Sequence, residues 1–403
     1  MNYREALAWL FGTQLFGIKL GLENVERLLG ALEVPAPEQQ IIHVAGTNGK
    51  GSVCAMIDSI ARAARLRSGL FTSPHLVTFR ERIQVNGELI AHDEVALGLT
   101  TIRDLIAAWD PHPTFFEITT ALALWHFKRA GCELIVLETG MGGRLDATNA
   151  VTPVVAVLTP VDYDHQKWLG STLTEIAAEK AGIIKREIPV VSAVQKPEAE
   201  KVITERARAC ASPLEIVRRG DDSHALALQG AHQCQNAALA QAALRAAGIT
   251  LDEAAIAHGL ADVVWPARFQ RIGDDVVIDG AHNPAGARVL VETWRNTFGA
   301  AKATIIAAVL CDKDAAAIVR ELAPIAARFI LPPARTERAL PPNEFAEIIR
   351  TAAIGIDVTI AASLEDALAQ AAPPTLLTGS LHFAGEVLAH LNGNPDELED
   401  CAQ

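Results

Sequence analysis

The stretch Ile41-Ile-His-Val-Ala-Gly-Thr-Asn-Gly-Lys-Gly-Ser52 reads as a buried strand running into a glycine-rich turn that carries one lysine. It approaches a nucleotide-binding P-loop, whose usual signature has four residues between its first Gly and a Gly-Lys pair, with Ser or Thr directly after the Lys. Here only Thr47 and Asn48 separate Gly46 from Gly49, and Gly51 stands between Lys50 and Ser52. Glycines at 46, 49 and 51 let backbone N–H groups turn toward the start of the following helix, where the dipole favours phosphate. Lys50 would then lie against the β and γ phosphates. The competing reading is a tight strand-to-helix turn with a solvated lysine. The displaced serine also leaves open which oxygen would hold a metal ion.

Outward from this loop, apolar β-rich runs alternate with helical patterns. Residues 41–45, 68–71, 133–137, 154–158 and 189–193 read as buried strands, and 52–64 and 115–130 have helical periodicity. Such alternation predicts a mainly parallel sheet covered by helices on both faces. An Ala-rich helix over 236–247 stops at Gly248. A second alternating set has strands at 276–278, 304–309, 328–331, 358–361 and 375–377. The joint is Val263-Val-Trp-Pro-Ala-Arg-Phe269, where Pro266 prevents either neighbouring element from running through. The expectation is an α/β chain with a P-loop-containing domain over 1–264 and a smaller α/β domain over 265–403.

A length of 403 residues exceeds what one hydrophobic core usually serves, and a hydrophobic content of 50% is ample for two. A net charge of −13, with no basic stripe, excludes nucleic acid as a partner. Six scattered cysteines, without a C-x-x-C pair, read as reduced thiols. The first residues lack a signal-peptide pattern and no apolar run is long enough to span a bilayer, so the expected protein is soluble and cytoplasmic.

Several strand ends carry groups suited to phosphate chemistry. Glu138 closes an apolar run before a glycine-rich turn, the position at which P-loop folds place a carboxylate for Mg²⁺. His165, in Asp162-Tyr-Asp-His165, also follows a buried strand, where open α/β sheets bind ligands, although a lone histidine is more often structural than a ligand. Thr172 and Glu175 have capping-box spacing, so Lys180 lies on a helix, and by spacing alone it is an ordinary helix lysine. In the second domain Asp279 ends a strand and could accept from ribose hydroxyls, while Asn283 and Pro284 open a helix.

Together these residues resemble the folylpolyglutamate synthase and dihydrofolate synthase family of the Mur ligase superfamily. The matches are Gly46 to Ser52, Ser73-Pro-His-Leu76 with Glu81-Arg-Ile83, Glu138 with Gly142-Gly-Arg-Leu-Asp-Ala-Thr-Asn149, Asp164-His165 with Trp168-Leu-Gly170, Glu179-Lys-Ala-Gly-Ile183, Asp279-Gly-Ala-His-Asn-Pro284 and Thr378-Gly-Ser380. They occur in order across nearly the whole chain. The resemblance implies a Mur ligase architecture with a Rossmann-like C-terminal domain. It also implies an ATP-dependent amide ligase that joins L-glutamate to dihydropteroate and further glutamates to reduced folates, acting as a monomer away from membranes.

By position, the resemblance assigns Gly46, Thr47, Asn48, Gly49, Lys50, Gly51 and Ser52, with Asn236, Arg268 and Asp279, to ATP. Ser73, Glu138, His165 and Lys180 would hold two Mg²⁺ ions, with Lys180 as an N6-carboxylysine; Lys50, His165 and Lys180 would be catalytic. The pterin or folate site would use Ile18, Lys19, Leu20, Thr114, Phe115, Phe116, Glu117, Leu145, Asp146 and Ala147. His282 and Ser380 would meet the incoming glutamate. Thr114-Phe-Phe-Glu117 and Trp168-Leu-Gly170 are closer to the bifunctional form, whereas Gln166 and Lys167 depart from the family pattern. Two rivals share part of this evidence. A cell-wall Mur ligase usually has a nucleotide-sugar domain ahead of its loop, for which the residues before Gly46 are read as leaving no room. A nucleotide-gated binding module would not need Lys180.

Overall fold

Strand β1 (Gln40–Ala45) carries the pattern on which the first half of the chain is built. Its Ile41 enters one core and its Ile42 and Val44 the opposite one, the period of two of a strand buried on both faces. The computed structural model describes residues 1–16, 21–220 and 223–399. Strands β2 (Ser68–Phe71), β3 (Ile83–Val85), β4 (Glu88–Leu89), β5 (Leu134–Glu138), β6 (Val155–Leu158), β7 (Val190–Ala193) and β8 (Leu214–Val217) complete a sheet of order β4-β3-β2-β5-β1-β6-β7-β8. The pairings β2/β5, β5/β1, β1/β6, β6/β7 and β7/β8 are parallel, and the two at the other end of the sheet, β2/β3 and β3/β4, are antiparallel.

Helices Tyr3–Gly12, Glu23–Leu32, His92–Ile106 and Phe115–Arg129 cover one face of this sheet, and Lys50–Ala63, Ala231–Ala246 and Glu253–Asp262 the other. Each fully buried Leu, Ile or Val in these layers contributes roughly 1.5–3 kcal/mol. The second sheet comprises β9 (Gln270–Ile272), β10 (Val276–Ile278), β11 (Ala303–Ala307), β12 (Ala326–Leu331), β13 (Asp357–Ile360) and β14 (Thr375–Thr378). Its order is β13-β12-β11-β14-β10-β9, with β9 antiparallel at the edge. Here too neighbours alternate: Val277, Ile305 and Leu376 enter one core, and Ile278, Ile306 and Leu377 the other.

The strands expected from sequence are present to within a residue or two, whereas β3, β4, β8 and β9 were not foreseen. All four stand at or beside a sheet edge, where β8 is only half buried and the runs are too short to stand out by hydrophobicity. The Ala-rich helix begins five residues earlier than expected, at Ala231, which places Asn236 inside it. Thr114 and Thr172 cap their helices through complete capping boxes, and Asn283 caps the helix Pro284–Phe298. The five described cysteines are free thiols. Among the described residues no helix is long and apolar enough to cross a membrane.

The two sheets are joined at close quarters. A side chain at Gly385, in the helix Leu381–Leu391, would collide with the carbonyl of Leu76. Trp265, in the linking segment, lies on Gly51 so closely that a Cβ there would be 2.9 Å from the indole. The unusual glycine after Lys50 therefore makes room for the joint between the domains.

Candidate active site

At the carboxyl end of β1 the chain turns through Gly46 (φ 150°) and Gly49 (φ 88°) into the helix Lys50–Ala63, whose start has no side-chain cap. The first backbone N–H groups of such a helix lack intrahelical acceptors and favour an anion. Asn236 packs against this turn, since a Cβ on Gly49 would stand 2.9 Å from its Oδ1. Thr47 ties the loop to the next strand end, its hydroxyl donating to the Asp162 carbonyl and accepting from the Asp162 amide, both at 3.0 Å. The Lys50 ammonium folds back to the Thr47 carbonyl at 3.3 Å.

Glu138, the last residue of β5, is buried beside Ser73, whose amide donates to its Oε2 at 3.1 Å. Burial pushes the Glu138 carboxyl up, against the opposing pull of Lys50, the Ser73 amide and Arg268. The Ser73 hydroxyl is buried without a hydrogen-bond partner among the described residues. An orphaned hydroxyl beside a buried carboxylate is a hard-oxygen donor set that fits a divalent cation. Among the described residues no three His, Cys, Asp or Glu side chains gather at metal-holding distance. The expected set contains only two such residues, Glu138 and His165, and draws its other donors from a hydroxyl and a lysine.

Lys180 lies in the last turn of the helix Leu173–Ala181, buried, and donates to the Gly46 carbonyl at 2.8 Å. Burial, then the neighbouring Lys50, pulls its ammonium down to about 7, against Asp164 and Asp146. His165 has a left-handed backbone (φ 50°), and burial lowers its ring to about 4, opposed by Asp164 and reinforced by Lys313, Lys50 and Lys180. Lys50 thus acts electrostatically on Glu138, His165 and Lys180 alike. Lys167 is exposed, its ammonium 5.5 Å from the ring centre of Trp168.

From the second domain, Asn283 exchanges amide hydrogen bonds with Asn48 of the loop at 3.1 and 3.4 Å and donates to Asp164 at 3.1 Å. His282 stands 3.6 Å from the same carboxylate, and Lys313 donates to it at 2.7 Å. Burial would raise Asp164, yet His282, His165 and Lys313 hold it well below the usual carboxylate range. The carboxylate oxygens of Asp279 accept from the Phe269 and Ala281 amides at 2.8 and 2.9 Å, so its side chain braces the turn beside Arg268. Ser380 is the buried N-cap of the helix Leu381–Leu391, accepting from the Phe383 amide at 3.1 Å.

A cleft of about 950 Å³ opens between the domains. Thr114, Phe115, Phe116, Glu117, Leu145, Asp146 and Ala147 line it, together with His165, His282, Asn283 and Lys313. Glu117 Oε2 accepts from the Thr114 amide, and Asp146 accepts from the Met141 and Thr148 amides, so both carboxylates are partly engaged by their own turns. Ser380 does not line this cleft. Ile18, Lys19 and Leu20 lie outside the described residues.

The sequence reading overlooked two positively charged or ionisable neighbours of the site. Lys313 follows the strand end of β11 within Asp312-Lys-Asp314, so the strand-end reasoning that found Glu138 could have found it too. His232, whose ring burial lowers to about 4 beside Arg268, starts an alanine-rich helix and carries no local signal.

Residues 44–244 match the Mur ligase middle domain, and residues 267–381 match the glutamate ligase domain of Mur ligases. The dihydrofolate synthase/folylpolyglutamate synthase of Bacillus subtilis is 36% identical over 358 residues, covering 80% of this chain and 83% of its own. The structure of E. coli FolC in complex with DHPP and ADP superposes with a TM-score of 0.85 at 31% identity, covering 96% of this chain and 98% of that one. The bifunctional folylpolyglutamate synthase/dihydrofolate synthase of Yersinia pestis, complexed with AMPPNP and a Mn ion, gives 0.87 at 29% identity, with 97% and 98% covered. With both ligase domains in register and the loop, strand-end carboxylate and interdomain cleft in place, the chain belongs to the dihydrofolate synthase/folylpolyglutamate synthase family of Mur-type ligases.

Proposed function

We propose that this ligase uses ATP to couple L-glutamate to 7,8-dihydropteroate and to add further glutamates to reduced folates. The observation that carries the reading is Lys50, whose charge acts on Glu138, His165 and Lys180 beside the cleft lined by Phe116. A carboxylate cannot form an amide while its leaving group is oxide, so the γ-phosphoryl group first passes to the pteroate carboxylate. The glutamate amine, as free base, attacks the acyl phosphate, and the tetrahedral intermediate expels phosphate. Lys50 and the uncapped helix start would hold the triphosphate and offset its repulsion of the incoming carboxylate. Asn236 packs on that loop, Arg268 bears on Glu138 beside it, and the Asp279 brace sets the turn that carries Arg268.

Phe115 and Phe116 offer aromatic faces to a planar pterin, with the edges of Glu117 and Asp146 as polar anchors. The relatives bound to DHPP with ADP, and to AMPPNP with a Mn ion, support both ligand classes. Ser73, Glu138, His165 and Lys180 would hold two Mg²⁺ ions, which when bound would neutralise phosphate charge. A buried lysine amine that is readily neutral adds to CO₂ and loses a proton, so Lys180 would enter this set as a carbamate. His282, close to Asp164, would meet the glutamate; Ser380 would shape its pocket through the turn it caps. In this reading the P-loop domain covers 1–264 and the glutamate-ligase domain 265–403, working as a cytoplasmic monomer.

The test is phosphate release from ATP, with dihydropteroate or tetrahydrofolate, each with and without glutamate, and mass analysis of the product. Glutamate-dependent release with both pterins is expected. Release with tetrahydrofolate alone removes the dihydrofolate synthase half, and none with either rejects the reading.

A further inference from the structure

A buried chain of hydrogen bonds runs from the centre of β1 to the floor of the cleft. Asp146 Oδ1 accepts from both the amide, at 3.0 Å, and the hydroxyl of Thr148, while its Oδ2 accepts from the Met141 amide at 2.8 Å. Donors aimed at both oxygens match an ionised, acceptor-only carboxylate. The single proton of the Thr148 hydroxyl is therefore spent on Asp146. The same hydroxyl lies 2.8 Å from His43 Nε2, and toward that nitrogen it can only accept. His43 must carry its proton on Nε2. Its Nδ1 is left bare, buried and without a partner among the described residues.

Holding a fully buried imidazole with one unsatisfied nitrogen costs free energy that an aliphatic residue at this core position would avoid. What the histidine supplies is a directed donor at the end of the chain. At its other end, Met141 and Gly140 belong to the turn on which Phe116 rests, since a Cβ on Gly140 would lie 2.5 Å from that ring. Burial holds the His43 ring down at about 3, so the donor persists as the neutral tautomer under ordinary conditions.

We propose that His43 is a positioning residue for the substrate cleft, acting through Thr148 to fix Asp146 and the turn beneath Phe116. The inference rests on the reading of this cleft as the pterin site. His43→Gln retains an N–H donor close to Nε2, whereas His43→Leu and Thr148→Val break the chain. The experiment measures kcat, KM for dihydropteroate and KM for ATP, together with melting curves, for these three variants and the double variant His43→Leu/Thr148→Val.

His43→Leu and Thr148→Val are each expected to raise KM for dihydropteroate roughly tenfold, the worth of one buried hydrogen bond, with KM for ATP unchanged. The double variant should be no worse than Thr148→Val alone, and His43→Gln should stay near the unmodified enzyme. If His43→Leu does not fold, Thr148→Val and His43→Gln decide the matter. Equal rises in both KM values, additive losses in the double variant, or failure of Gln to rescue would overturn the relay. Should the unmodified enzyme turn over only a reduced folate, the comparison is made with that pterin, so an error in the substrate is kept apart from an error in the relay.

Discussion

Lys313 of the second domain donates a hydrogen bond of 2.7 Å to Asp164 of the first, and both side chains are almost wholly buried. Asn283 and His282 converge on the same carboxylate, one residue before His165. Breaking one partner of a buried pair leaves an uncompensated charge, at a cost of about 3–5 kcal/mol. Lys313→Ala is therefore expected to loosen the domain contact and lower kcat at least about tenfold. Steady-state kinetics with small-angle scattering checks this; full activity with an unchanged envelope would show that the pair is not what closes the cleft.

The Ser73 hydroxyl is orphaned beside Glu138, whereas Ser52 lies within the first turn of the P-loop helix. Ser73→Ala is expected to raise the Mg²⁺ concentration needed for half-maximal phosphate release several-fold, and Ser52→Ala to raise it less. The reverse ranking in a Mg²⁺ titration would return the metal to the P-loop.

Lys180 is buried at the back of the loop, on the Gly46 carbonyl. Lys180→Ala should abolish ligation while leaving the melting temperature largely intact, and a short carboxylate added to the assay should restore part of the rate. A variant that ligates normally would remove the carbamate from the mechanism.

His43 predicts an acid limb in stability. Its folded value of about 3 lies below the ordinary 6.5, so its contribution is complete above 6.5 and is lost as pH falls toward 3. From pH 6.5 to about 5 the loss is about 2 kcal/mol. Urea unfolding at the two pH values measures it, and His43→Gln should flatten the dependence by that amount.

Much of the site was legible because its residues stand at the carboxyl ends of strands that announce themselves by local hydrophobicity. Glu138 at the end of β5 and the loop after β1 are of this kind. Lys180 was legible only by resemblance, since its helix spacing is ordinary and its burial comes from packing on a loop 134 residues away. The edge strands β4 and β8 escaped notice for the converse reason: short, half-exposed segments have no strong periodicity to read.

By itself the sequence determined two α/β halves, a glycine loop on a helix start, and the order of the chemical groups along the chain. These follow from side-chain period and backbone freedom, which act over a few residues. Only the tertiary structure decided that Gly51 is a seat for Trp265, that Lys313 and Asn283 close on Asp164, and that His43 reaches Asp146 through Thr148. Each of these is a partnership between segments distant in sequence. Its strength comes from desolvation and donor geometry, which exist only once the two sheets have packed together.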